Sequence, residues 1–145
     1  MPAYWATVGR IIIALFFLSS GISKLIGEPG ALQEMIRHGF PIAVPLYWIT
    51  AIFETVVGGM LLLGISTAWS SALLALFTLL TALTIHDWWN DPAGSMERMS
   101  NLINFEKNFA IVGGLLVLAA LGPAPWSIRP GLQQQPENWR GRQLH

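Results

Sequence analysis

An all-α integral membrane bundle of four helices is the fold class this sequence predicts, and three observations carry that prediction. The 145 residues are 53% hydrophobic and only 11% charged, with a mean hydropathy of +0.52, far from the balance of a water-soluble domain. Four apolar runs, 5–26, 44–64, 68–86 and 105–122, each approach the roughly 20 residues that cross a bilayer as helix. Hydrocarbon offers no partner for open strands, so these runs are helical.

The first run begins at Tyr4 and Trp5 and carries Arg10 and Lys24. Fourteen residues apart, the two cations fall within about 40° of each other on a helix, with Phe17 and Gly21 on the same stripe. A cleavable signal peptide would also set a basic residue before a core such as Ile11 to Leu18. The shared stripe of Arg10, Gly21 and Lys24 favours a retained helix.

In the connection that follows, "ALQEMIRHG" puts Leu32, Met35 and Ile36 on one side. A short interfacial helix near 31–38 is predicted, ending at Gly39. The second run, 44–64, and the third, 68–86, are separated by Ile65 to Thr67 alone, which makes them an antiparallel hairpin. Residues 87–104 form a longer connection that opens with Trp88 and Trp89, residue types suited to the headgroup layer. The fourth run completes a domain over 1–128, and residues 129–145, rich in proline, glutamine and glycine, read as a flexible tail.

"VVGGMLLLG" at 56–64 and "IVGGLLVLAALG" at 111–122 echo each other. Gly21, Gly58 and Gly113 are therefore candidate helix-packing positions, because small residues let membrane helices approach. The echo also fits a tandem repeat of two hairpins. Exposed small-residue faces permit a homo-oligomer without specifying one.

Composition excludes several chemistries. There is no cysteine, hence no thiol exchange, iron–sulfur cluster or thiolate metal site, and no metal site is predicted. Of His38, His86 and His145 only His86 ends a span, so one chain cannot hold a haem between two membrane histidines. Eight basic residues against eight acidic ones give no basic patch for nucleic acid. Lysine and arginine divide four and four between the two sides, and the amino terminus tips the reading towards both ends being cytoplasmic.

Glu54 lies ten residues from either end of its run, roughly 15 Å from each surface. A charge at that depth costs at least about 3 kcal/mol and faces the bundle interior. Depth favours Arg10 as its partner, which is the expectation adopted here, whereas the lean of side chains towards their own helix start favours Lys24. A plain interhelical pair that fixes packing would leave the same pattern. At the other surface His86, Trp88, Asn104, Lys107 and Asn108 supply donors near Lys24, a candidate ligand site.

These residues also carry a resemblance. "GRIIIALFFLSSGISKL", "HGFP", "ETVVGGMLLLG", "HDWW" and "NLINFEKNFAIVGGLLVLAALGP", in that order over residues 9 to about 128, resemble the DoxX family of small four-helix membrane proteins, especially its YphA-type members. The resemblance implies a multi-pass protein of the bacterial plasma (inner) membrane. It further implies a possible role beside quinone-reducing systems or soluble redox partners, and its pattern falls on Arg10, Gly21, Lys24, Glu54, Gly58, His86, Asn104, Lys107 and Asn108. One departure stands at the end, where the family has serine and, two residues on, aspartate: here Ser127 is followed by Arg129.

Three functional expectations follow. A quinone-interacting subunit would use His86, Lys24, Lys107 and Asn108 as donors and Glu54 with Arg10 as a proton route, with no covalently bound cofactor and with electrons from a partner. A small proton-coupled transporter or permeability factor would cycle Glu54 between its two protonation states. A passive anchor for a soluble redox enzyme would need neither.

Overall fold

The computed structural model describes residues 2–123 and 126–128. The proposed tail at 129–145 lies outside the described residues. Five helices follow in order: α1 (Pro2–Leu25), α2 (Gly30–Arg37), α3 (Ala43–Leu63), α4 (Thr67–Thr84) and α5 (Met96–Leu121), with a single 3-10 turn at Trp88–Asn90. No strand occurs among the described residues. Four of the helices, all but α2, are long and apolar enough to cross a membrane.

Boundaries follow local chemistry. Pro45 is tolerated in the first turn of α3 because a backbone N–H there has no intrahelical acceptor to lose. That helix ends at Gly64, whose φ of 71° lets the Gly64 N–H reach the Leu61 carbonyl and the Ile65 N–H reach the Met60 carbonyl. This paired closure needs a left-handed residue, which glycine adopts without a steric penalty. α1 and α2 close the same way, at Gly27 and Gly39.

α5 corrects the fourth predicted span, because it starts at Met96 and not near residue 105. Ser95 caps it, its hydroxyl accepting the Arg98 N–H at 3.1 Å, and Glu97 sits in the first turn where the helix dipole favours an acid. The first turns are too polar for a hydropathy run to include them. α4, conversely, stops at Thr84, so His86 stands just beyond the helix.

α1 packs along α3 and α4 along α5, while the α3–α4 seam is narrower. Ala14, Phe17, Val57, Leu61, Leu74, Ala75 and Leu115 form the core. A second, smaller cluster of Met35, Ala43 and Tyr47 ties α2 to the start of α3. The outside of the bundle is apolar, with Ile12, Ile52, Leu76 and Leu116 exposed, as a surface meant for lipid must be.

Two of the predicted glycine contacts are present. A β-carbon added at Gly21 would stand 2.7 Å from the Thr55 nitrogen, and one at Gly58 would stand 3.1 Å from the Phe17 β-carbon. Gly113 is a correction: it faces outward with open space around it, and its neighbour Gly114 meets Ile13 instead. One residue turns a helix by about 100°, so a glycine pair read from sequence does not say which member faces in. The two hairpins have similar helix pairings, but their glycine pairs do not occupy equivalent positions.

Candidate functional site

The buried acid of α3 is held by the last turn of α1. Lys24 Nζ donates to Glu54 Oε2 at 2.7 Å, to the Ser20 hydroxyl at 2.6 Å and to the Ser20 carbonyl at 3.4 Å, and Glu54 is only 4% exposed. The two helices run antiparallel, so the lean of each side chain towards its own helix start brings lysine and glutamate together. Tyr47 braces the pair. Its hydroxyl faces the carbonyls of Lys24 at 2.8 Å and Glu28 at 2.7 Å, tying the end of α1 to α3.

Arg10 therefore does not pair with Glu54, contrary to the depth argument. It is 1% exposed and donates through Nη1 to the Ser127 hydroxyl at 2.8 Å and through Nη2 to the Trp126 carbonyl at 3.3 Å. The Ile128 N–H meets the Leu63 carbonyl at 3.1 Å, and the Trp126 ring lies edge-on to Tyr4 at 6.1 Å. Residues 126–128 are thus clasped onto the start of α1 and the α3–α4 turn. A β-carbon at Gly64 would collide with the Arg10 guanidinium and come within 2.6 Å of the Ser127 α-carbon. Arg129 lies outside the described residues.

Beside the Lys24–Glu54 pair is a cavity of about 230 Å³, lined by Lys24, Thr50, Glu54, His86, Lys107 and Asn108 among apolar neighbours such as Phe17 and Phe77. That is several times the roughly 30 Å³ share of one water. Asn108 is 6% exposed and makes no hydrogen bond among the described residues. His86 Nδ1 is buried without a partner, although Asn101 engages the ring. A buried polar atom such as His86 Nδ1 left in this state costs about 1–3 kcal/mol unless a ligand or water satisfies it.

Four predicted residues, Lys24, His86, Lys107 and Asn108, thus converge on one chamber. Asn104 is one step removed, accepting from Lys107 Nζ at 2.8 Å. Trp88 does not line the chamber; it lies under the Arg98 guanidinium at 5.1 Å. Sequence reasoning missed Tyr47, whose polar tip in an apolar span was the available signal, and Glu34, which α2 brings to the chamber wall. Above the chamber, α2 is latched to the α4–α5 connection by His38 Nε2 to Asp87 Oδ1 at 3.0 Å and to α5 by Arg37 with Glu97.

Four helices long and apolar enough to cross a membrane, packed around a buried ion pair, define a small multi-pass membrane protein. The DoxX family model matches residues 5–87, and the chain belongs to the DoxX family. It is 31% identical over 121 residues to the inner membrane protein YphA of Escherichia coli (strain K12), covering 83% of this chain and 85% of that one. It is 34% identical over 122 residues to the inner membrane protein YqjF of the same organism, covering 83% and 86%. No solved structure matches. The family match includes Arg10, Gly21, Lys24, Glu54, Gly58 and His86, whereas Asn104, Lys107 and Asn108 come from α5 beyond it.

Proposed function

We propose that this protein is a quinone-interacting subunit of a bacterial inner-membrane redox system, with both termini cytoplasmic and with electrons delivered by a partner. The observation that carries the reading is the buried His86 Nδ1, which has no partner, on a chamber wall shared with Asn108 and with the Lys24–Glu54 ion pair. A quinone ring presents two carbonyl oxygens that need such donors. Reduction adds two electrons and two protons, converting both carbonyls to hydroxyls. The protons can be supplied next to Lys24 and Glu54. The chain has no cysteine to hold a thiolate-bound cluster, and the reading assigns the electrons to a partner.

The test is thermal unfolding of the detergent-solubilised protein with added ubiquinone-1. A ligand at a hundred times its Kd stabilises by about 2.7 kcal/mol, a shift of several degrees. Asn108→Leu should abolish the shift while leaving the ligand-free midpoint near its original value. Protein that emerges from the membrane without quinone and shows no shift refutes the reading.

One observation favours a second reading, proton-coupled transport: Glu54 Oε1 accepts no hydrogen bond among the described residues and sits mid-span. Flux driven by a pH gradient in liposomes, abolished by Glu54→Gln, would establish it. Orientation is testable because the chain lacks cysteine: single cysteines placed at Ser95 and Ser66 should label from opposite sides.

A further inference from the structure

A second cavity, of about 420 Å³, lies between α3 and α4 and shares Met35, Thr50, Phe77, Thr81 and Ile85 with the polar chamber. Its character is the opposite. Among the described residues no charged side chain lines it, and the only polar ones there are three threonines. Each of those hydroxyls is already spent on its own helix: Thr50 donates to the Tyr47 carbonyl, Thr81 to Phe77 and Thr84 to Leu80. The groove therefore presents hydrocarbon alone. It lies along the narrower of the main interhelical seams, and Ile49 and Leu80 on its rim are exposed on the outer, lipid-facing surface of the bundle.

A chamber that carries donors, set against a hydrocarbon slot across the shared wall of Met35, Thr50, Phe77, Thr81 and Ile85, with lipid-facing Ile49 and Leu80 on the slot's rim, suits a head-and-chain ligand. We infer that the α3–α4 groove holds the isoprenoid chain of the ligand whose ring occupies the chamber, and that this ligand enters sideways from the bilayer through the seam. The inference rests on the quinone reading above and adds the route and the requirement for a chain. A ligand arriving from water would have no use for a groove without a free polar atom. The Phe53 and Phe77 rings pack together across the seam, with centroids 5.2 Å apart, and Phe77 lines both cavities, so the Phe77 ring must turn for a chain to pass from one to the other. Affinity alone is a poor measure of this subsite, because a chain moving from lipid to an apolar groove gains little hydrophobic free energy.

The test is photolabelling in proteoliposomes with a ubiquinone analogue whose alkyl chain ends in a diazirine, alongside the same diazirine chain without the ring. Expected is enrichment of label at Leu46, Ile49 and Leu80 over the lipid-facing Ile12 and Leu116, for the ring-bearing probe only, with loss of that enrichment when excess ubiquinone-1 is added. Leu80→Trp, which fills the groove, should remove the enrichment and leave the ubiquinone-1 thermal shift in place. Equal enrichment by both probes means that the groove holds a bilayer acyl chain, and overturns the inference. Protection of the chamber by ubiquinone-1 with label spread evenly over the outer surface overturns it too, while leaving the quinone reading standing. No thermal shift and no specific label from either probe overturns both.

Discussion

Replacing Lys24 with methionine keeps the length of the side chain and removes its charge, leaving Glu54 as an acid buried in the second span with no cation beside it. Removing one partner of a buried ion pair typically costs about 3–5 kcal/mol, whereas replacing both with apolar groups of similar volume is often near neutral. For a chain of this size each kcal/mol moves the thermal midpoint by about 3–4 °C. Lys24→Met should therefore lower it by roughly 10–20 °C. The double variant Lys24→Met with Glu54→Leu should regain most of that loss. The assay is unfolding of the two single variants and the double in one detergent, which gives the coupling energy directly. Additive losses in the double variant, or a Lys24→Met protein as stable as the parent, would show that the pair contributes no coupling and would refute the reasoning from burial.

Three further outcomes are expected. Gly21→Ala must push α1 away from the Thr55 backbone, at a cost of about 1–3 kcal/mol, whereas Gly113→Ala, with open space around it, should stabilise by up to about 1 kcal/mol; paired thermal midpoints decide. Ser127→Ala removes a hydrogen bond to a buried guanidinium and should cost about 1.5–3 kcal/mol, read in the same assay, and a Gly64→Ala variant should lose at least as much by striking the same guanidinium. Ser95→Ala should cost about 1 kcal/mol locally, seen as faster hydrogen exchange at Met96 to Asn101 with little change in the global midpoint.

Hydropathy located all four spans because each is a run of side chains that water rejects, and that signal is local. What it could not locate was where α5 begins, since Met96 to Asn104 is helical yet polar, and only the Ser95 cap marks it. The partner of Glu54 was mistaken for a different reason. Depth along a helix places α-carbons, but which cation reaches the acid depends on side-chain lean and on competing acceptors. For Arg10 those acceptors are Trp126 and Ser127, more than a hundred residues away in sequence. Convergence of His86, Lys107 and Asn108 was legible because topology alone puts the ends of α4 and the start of the membrane part of α5 on the side of Lys24. The hydrocarbon groove had no sequence signature, because it is made by the spacing between two helices and not by any residue type.

The three-residue turn from Gly64 to Ser66 joins the two tightly packed helix pairs at one membrane face, and the clasp of residues 126–128 crosses the same point. At the opposite face the pairs are held by side chains, those of Arg37 with Glu97 and His38 with Asp87 and the packing of Ile85 against the Met35, Ala43 and Tyr47 cluster. One end of the molecule is thus riveted through backbone, the other fastened by side chains, among them the Arg37–Glu97 ion pair, which salt can loosen. Any splaying of the pairs must pivot about the riveted end and widen towards the tied one, like the jaws of a clothes peg.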